Sequence, residues 1–127
     1  MGYRSEVALA VSKKVMPHFL SVLAKAPEVR TMIFKDHDTL EENYDGEGTL
    51  LVVWHSIKWY TTYPEVKAIE DFLEACESDM LEGFELPKDE YQGDHVRFVR
   101  IGEEFDDCET KGALHGWDIG MSRSLSY

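Results

Sequence analysis

The sequence predicts an α+β fold, a two-layer sandwich in which a mostly antiparallel sheet of four or five strands carries two helices on one face. Three observations lead to this prediction. Segments with period-two hydrophobicity alternate with two amphipathic segments in the order strand, helix, strand, helix, strand, strand. Hydrophobic residues make up 43% of the chain, which is enough for a core. The length of 127 residues fits one domain, so we assign residues 1–127 to a single α+β domain.

The first third of the chain contains one predicted strand and one broken helix. Residues 3–12 alternate in hydrophobicity, which is typical of a strand with one face in the core. Residues 15–26 place apolar side chains along one helical stripe, and Pro27 stops or kinks this helix before a short second piece at residues 28–33. Residues 34–48 are polar and end in glycine, which indicates a loop, an irregular hairpin or a short edge strand.

The middle of the chain contains the strongest strand and the clearest helix. Residues 49–60 are apolar on both faces in their first half, so this strand should lie in the interior of the sheet. A helix should begin at Pro64, because proline is favoured at the first helical position. One side of this helix is apolar: Val66, Ile69, Leu73 and Cys76. The other side is acidic and includes Glu70, Asp71, Glu74 and Glu77.

The last third of the chain contains two more predicted strands. Residues 80–93 contain proline and glycine and should form a connection over the surface. Residues 94–102 alternate as a strand, and residues 103–116 form an acidic, turn-rich excursion. Residues 116–127 alternate again, which predicts a last strand.

The charge of the chain restricts its partners. Asp and Glu number 25 against 13 Lys and Arg, which gives a net charge of −12. Such a domain is repelled by nucleic-acid backbone and by anionic membrane, and is attracted to basic protein surfaces or to cations. We therefore expect no direct nucleic-acid or membrane partner. Mimicry of nucleic-acid charge and an ordinary soluble surface both remain compatible with this composition.

The cysteines and the amino terminus indicate a reducing compartment. Cys76 falls in the amphipathic helix and Cys108 in the acidic excursion, without the spacing of a metal site or redox motif. Two free thiols are therefore favoured over a disulfide. Residues 1–6 contain no basic region followed by an apolar run, so we expect a soluble, cytoplasmic protein.

Four motifs and the ending of the chain are similar to one group of known proteins. The motifs are Tyr3-Arg4-Ser5-Glu6-Val7-Ala8, Trp54-His55-Ser56-Ile57-Lys58-Trp59-Tyr60, Tyr63-Pro64-Glu65-Val66 and Arg100-Ile101-Gly102-Glu103-Glu104-Phe105-Asp106-Asp107, and the ending is Ser122-Arg123-Ser124. In these segments the chain resembles small acidic accessory proteins of tailed bacteriophages and prophages, a group without assigned catalytic residues. The resemblance implies a phage-encoded protein made in the host cytoplasm that binds and inhibits or modulates a host or anti-phage defence protein.

The first functional hypothesis is a non-enzymatic binding protein that contacts its partner through an acidic surface. The candidate residues lie on the acidic side of the helix and in the acidic excursion: Glu70, Asp71, Glu74, Glu77, Glu103, Glu104, Asp106 and Asp107. An uncovered sheet face or an edge strand would also serve as a contact between two copies of the chain.

The alternative hypothesis is a protein that binds or sequesters a small nucleotide. One side of the strands combines aromatic and basic residues that could stack on a base and hold a phosphate: Arg4, Trp54, Lys58, Tyr60 and Arg123. Cross-strand pairing with Glu6 would explain the same charges without any ligand.

The sequence contains no recognisable catalytic or metal-binding set. The five histidines are scattered, and the serines have neither a nucleophile elbow nor an identifiable base. The acidic excursion lacks the alternating pattern of a calcium loop. We therefore predict no enzymatic activity, no metal and no cofactor.

Overall fold

The computed structural model describes residues 2–81, 86, 90–104, 106–115, 119–121 and 125–126. The helices are α1 (Met16–Lys25), α2 (Pro27–Phe34) and α3 (Pro64–Glu77), with a short 3₁₀ helix at Gln92–His95. The strands are β1 (Ser5–Val11), β2 (Thr39–Glu41), β3 (Leu50–Ile57), β4 (Val96–Ile101), β5 (Cys108–Gly112), β6 (Gly120–Met121) and β7 (Leu125–Ser126). The fold is α+β, with an antiparallel five-stranded sheet in the order β2-β3-β1-β4-β5.

The central strand is β1, which pairs with β3 on one side and with β4 on the other. Its residues from Val7 to Val11 are all completely buried. A strand with two sheet neighbours and both faces covered has no polar face, so the run Val-Ala-Leu-Ala-Val suits this position. The larger side chains of this run face the helices, and the alanines face the other side of the sheet.

The three helices pack on one face of the sheet, and their boundaries follow the prolines. Pro17 lies in the first turn of α1, Pro27 begins α2 and Pro64 begins α3. Proline lacks a backbone donor, so it fits a first turn and interrupts a continuing helix. The main core beneath the helices includes Phe19, Ile33, Trp54, Leu73 and Phe98. The predicted helices are confirmed, and the predicted second piece at residues 28–33 is the separate helix α2.

A β-bulge near the end of β3 changes which side chains face the helices. Ser5 pairs with Ile57 and Val7 pairs with Trp54, so one residue of β1 lies opposite two residues of β3. Trp54 and Ile57 consequently both pack into the helix-side core, although strict alternation would place them on opposite faces. Trp54 continues the helix-side face of Leu50 and Val52, contrary to its predicted place among the outward-facing aromatic residues, and the bulge after it brings Ile57 to the same side.

The second face of the sheet is covered in its middle, in contrast to the open face that we predicted. Ala8, Ala10, Leu51, Val53 and Val99 are completely buried there. The cover comes from Tyr44 in the β2–β3 loop and from Leu114 and Ile119 after β5. The Arg97 side chain attaches this cover by donating hydrogen bonds to the carbonyl oxygens of Ile119 (3.0 Å) and Gly112 (2.8 Å).

Three shorter strands differ from the sequence-based expectation. The strand β2 is the short edge strand that we left open for residues 34–48. The excursion at residues 103–116 contains the edge strand β5, which we did not predict. The last predicted strand is a two-stranded hairpin, β6 with β7, within the described parts of residues 116–127.

Candidate functional site

Both predicted sets of binding residues have members at one end of the sheet, where β1 and β5 begin and β3 and β4 end. We call this end the rim and define it as residues 2–4, 55–60, 102–104 and 106–107. Two grooves of about 610 Å³ and one of about 470 Å³ open beside it. Arg4 lines two of these grooves.

The β4–β5 turn of the rim is attached to the amino-terminal segment. The Tyr3 hydroxyl donates to Asp107 Oδ2 at 2.6 Å and accepts the backbone N–H of Glu104 at 2.9 Å. The backbone N–H of Arg4 donates to Glu103 Oε2 at 2.6 Å. These contacts join residues about one hundred positions apart, so the turn is held by both the sheet and the amino terminus.

Arg100 forms ion pairs with two carboxylates beside the turn. Its guanidinium contacts Asp107 Oδ1 at 2.6 Å and Glu109 Oε1 at 2.7 Å, and it also donates to Ser5 Oγ at 3.1 Å. The Arg100 side chain is 11% exposed. Its guanidinium and the Tyr3 hydroxyl hold the pKa of Asp107 below its usual range. The predicted site residue Asp107 is therefore part of an internal ion cluster.

The other acidic residues of the turn are not neutralised in this way. Glu103, Glu104 and Asp106 are exposed, and none of them forms an ion pair with a described Lys or Arg. The turn thus presents three carboxylates to solvent from a backbone that is fixed by hydrogen bonds. Of the predicted acidic residues, these three form the most compact exposed group.

The acidic residues of α3 differ in exposure: Glu70 is mostly buried, whereas Asp71 is exposed. Glu70 accepts a hydrogen bond from Trp59 Nε1 at 2.8 Å and pairs with Lys111, and its side chain is 15% exposed. This burial contradicts the predicted place of Glu70 on the outer, acidic side of the helix. Asp71 pairs with Lys67 one helical turn away, at 3.0 Å.

The two remaining acidic residues of α3 face outward. Glu77 is exposed, and its Oε2 accepts the backbone N–H of Gly112 at 3.3 Å. Glu74 is exposed and has no ion pair within the part of the chain that the structure describes. The exposed acidic residues of α3 are therefore Asp71, Glu74 and Glu77.

The predicted anion-binding set is only partly brought together. Arg4 and Lys58 line the 470 Å³ groove between α2 and the end of β3. Three carboxylates, those of Glu28, Asp36 and Glu65, line the same groove. The groove is therefore net negative, which opposes binding of a phosphate.

The aromatic side chains of this set, Trp54 and Tyr60, form hydrogen bonds and packing contacts within the protein. Trp54 is 1% exposed and its Nε1 donates to the Met32 carbonyl at 3.0 Å, so the predicted exposed stacking platform is wrong for this residue. The Tyr60 hydroxyl accepts the backbone N–H of Tyr3 at 2.6 Å, and its ring packs on Tyr63 with a 5.2 Å centroid distance. Arg123 lies outside the described residues.

Comparisons with protein-family models, with curated proteins and with solved structures found no match. The site is therefore characterised by its own chemistry. Among the described residues, no group of three or more His, Cys, Asp or Glu side chains is placed to hold a metal ion. None of the described helices combines the length and the apolar composition that crossing a membrane requires.

The cysteines are free, as the sequence analysis favoured. Cys76 is buried and Cys108 is exposed. Burial raises the pKa of the Cys76 thiol to about 12, and the nearby Glu77 carboxylate contributes to this rise. This thiol is therefore protonated and unreactive at neutral pH.

Ser12, His95 and Glu90 lie in a row and have the residue types of a hydrolytic triad. Ser12 Oγ lies 3.3 Å from His95 Nδ1, and His95 Nε2 lies 3.5 Å from Glu90 Oε2. Ser12 is only 7% exposed, and its Oγ also accepts the backbone N–H of Lys14 at 3.1 Å. A nucleophile must reach its substrate, so this arrangement fixes the chain between β1 and α1 rather than presenting a reactive hydroxyl.

Sequence reasoning missed the cluster around Arg100 and the role of Tyr3. A signal for the cluster was present, because a hairpin between residues 97–101 and 108–112 places Arg100 opposite Glu109. The Tyr3 contacts had no such signal, since they join the amino terminus to a turn near position 104.

Proposed function

We propose that this chain is a non-enzymatic binding protein that docks the acidic turn of its rim on a basic surface of a partner protein. The observation that carries the proposal is the fixed turn with Glu103, Glu104 and Asp106 exposed and without ion pairs to described Lys or Arg. The resemblance to small phage proteins suggests the partner class, a host or anti-phage defence protein in the host cytoplasm, which the chain would inhibit or modulate.

The fixed backbone supports the proposal for an energetic reason. Ordering a flexible loop on binding costs conformational free energy, whereas a turn that is already held avoids most of this cost. The Tyr3 and Arg4 contacts hold the turn in the free protein. Long-range attraction between a chain of net charge −12 and a basic partner would also raise the association rate at low salt.

The alternative, a small-nucleotide binding protein, has weaker support. Two of its cations, Arg4 and Lys58, share a groove with three carboxylates, and its tryptophan is buried. A phosphate in that groove would meet more negative than positive side chains. The same local charge favours a cationic protein surface at this end of the molecule.

The experiment compares two triple variants with equal changes of charge. The turn variant is E103Q/E104Q/D106N and the helix variant is D71N/E74Q/E77Q, and each removes three exposed carboxylates. Tagged wild-type protein captures the partner from a bacterial host lysate, and the affinity of the purified partner for all three proteins is then measured by biolayer interferometry. Glu70 and Asp107 are kept because their carboxylates stabilise the fold.

We expect the turn variant to lose at least about tenfold in affinity and part of its salt dependence, because complementary charges at an interface raise association and are screened by salt. We expect the helix variant to bind within about threefold of wild type, because a charge outside the interface has a smaller effect. Equal losses in both variants would mean that only net charge matters. A loss confined to the helix variant would move the interface to α3 and contradict the proposal.

A further inference from the structure

The surface around α2 differs in charge from the rest of the molecule. Residues 13–35 contain five Lys or Arg and one Glu, whereas the whole chain has a net charge of −12. A large hydrophobic side chain at the end of α2, that of Phe34, is also 44% exposed. A basic surface with an exposed aromatic side chain on an acidic protein suits a partner that is acidic and partly apolar.

One flank of α2 carries an aromatic side chain beside a cation. Arg30 and Phe34 are four residues apart, so they are neighbours on the helix surface, and both are exposed. Lys25 precedes this helix and Lys35 follows it, and both are exposed too. We call Arg30 and Phe34 the knob.

The adjacent flank of α2 borders a groove of opposite character. Glu28, Thr31 and Met32 line the 470 Å³ groove from the helix side, at about 130° around the helix from the knob. Tyr63 lines the groove as well, and Glu65 and Asp36 add carboxylates. The groove therefore offers apolar and aromatic surface with an excess of negative charge, because among the described residues three carboxylates line it and the only cations that do so are Arg4 and Lys58.

We propose that two copies of the chain associate about a two-fold axis that lies beside α2, with the knob of each copy in the groove of the other. A second copy fits because one helix carries both halves of the complementary pair, on two flanks separated by the exposed residues Pro27 and Thr31. A two-fold axis makes each contact twice, so one knob and one groove per chain are sufficient for a closed dimer. Phe34 would lie against Met32 and Tyr63 of the other copy, with Arg30 near its carboxylates.

The small area of the contact favours a weak, reversible dimer. A helix of eight residues is about 12 Å long, so α2 alone is short for a stable interface. The neighbouring end of α1 and the segment before α3 must contribute for the contact to reach about 500 Å² or more per copy. We therefore expect a dissociation constant on the order of 1–100 µM rather than a permanent dimer.

Sedimentation velocity from 5 to 500 µM at 150 mM NaCl tests the proposal with a matched pair of variants. Leu20→Ser and Phe34→Ser each remove one exposed apolar side chain, from α1 and α2 respectively. We expect wild type and L20S to convert from monomer to dimer over this range and F34S to stay monomeric. A wild type that is monomeric throughout, or a dimer that F34S leaves unchanged, would overturn the proposal.

Charge reversal distinguishes a two-fold α2 contact from other effects of substitution. R30E reverses the cation of the knob, and E28K/E65K reverses two carboxylates of the groove. Each variant alone should remain monomeric, because like charges would meet in both of the knob-to-groove contacts. An equimolar mixture of the two variants should form a heterodimer. In it the Arg30 of one chain meets the unchanged carboxylates of the other, and the glutamate introduced at position 30 meets the introduced lysines. Absence of a heterodimer, with wild type dimeric, would show that these flanks do not face each other.

Discussion

At Asp45, four donors converge on one carboxylate. Thr49 donates through its hydroxyl at 2.5 Å and its backbone N–H at 3.3 Å, and Glu47 donates its backbone N–H at 2.8 Å. His115 Nε2 lies 2.8 Å from the same carboxylate, which joins the β2–β3 loop to the segment after β5. These two segments form the cover on the second face of the sheet, so one side chain connects both parts of that cover.

The lowered pKa of Asp45 makes the stability of the fold depend on pH. Burial alone would raise this pKa, but the hydrogen bonds from Thr49, His115 and Glu47 outweigh burial and hold it far below its usual range. Because the folded pKa is below the unfolded value of about 4, the stabilisation is complete above pH 4 and is lost as the pH falls from there toward the folded pKa.

We predict that Asp45→Asn lowers the free energy of unfolding at pH 7 by about 1.5–3 kcal/mol, the contribution of charge-assisted hydrogen bonds. Urea denaturation at pH 7, 5 and 3 measures this difference. The gap between wild type and D45N should be smaller at pH 3 than at pH 5 or 7. Glu47→Gln, an exposed neighbour in the same loop, should change stability by less than about 0.5 kcal/mol. A gap that widens toward pH 3 would contradict the assignment.

At the scale of single elements, the end of β5 depends on Gly112. This residue has φ +76°, and a Cβ at its position would overlap the carbonyl group of Val96 in β4. Gly46, in the β2–β3 loop, has a nearly equal φ of +78° but no heavy atom within 4 Å of a Cβ. The two glycines therefore separate the cost of a left-handed backbone from the cost of a steric overlap.

We predict that Gly46→Ala costs about 1–2 kcal/mol, the penalty for a left-handed residue with a side chain. Gly112→Ala should cost about 1–3 kcal/mol more, because β4 and β5 must also move apart. Thermal and urea denaturation of both variants measure the difference. Equal destabilisation would mean that the β4–β5 pair accommodates the added methyl group.

Some elements of the fold are predictable from the sequence and others are not. Residues 3–12 and 94–102 were predicted as strands because their alternation is regular, and β1 and β4 confirm them. The helix from Pro64 was predicted because its proline and its apolar stripe agree, and α3 confirms it. The edge strand β5 was missed because its sequence, Cys-Glu-Thr-Lys-Gly, is polar. It joins the sheet through pairing with β4 and through ion pairs from Arg100 and Lys111.

The candidate site was predictable in composition but not in geometry. The cluster of acidic residues at 103–107 is evident in the sequence, and three of them are exposed in the structure. The burial of Trp54 was not predictable, because residues 50–54 are apolar on both faces of β3 and alternation alone does not say which face meets the helices. The extra residue in β3 comes after Trp54 and shifts only the side chains that follow, such as Ile57. The inward position of Glu70 depends on Trp59 and Lys111, which come from other elements.

At the scale of the whole molecule, the negative charge is mostly external. Ion pairs between described Lys or Arg and carboxylates involve Glu70, Asp71, Glu90, Asp107 and Glu109. The net charge of −12 is therefore spread over a surface where like charges repel one another. Salt screens such repulsion over about 10 Å at 0.1 M, so the folded state should become more stable as salt is added.

We predict that the free energy of unfolding of the wild type rises by on the order of 1 kcal/mol between 20 and 500 mM NaCl, measured in urea because it carries no charge. The turn variant E103Q/E104Q/D106N should be at least as stable as wild type at 20 mM NaCl and should respond less to salt. It loses repulsion between close carboxylates, while the amide that replaces the Glu103 carboxylate still offers an oxygen to the backbone N–H of Arg4. If stability falls as salt is added, internal ion pairs outweigh surface repulsion. If the turn variant is less stable by more than about 1 kcal/mol, its carboxylates serve the fold and not a partner, because a site reserved for binding is expected to cost stability.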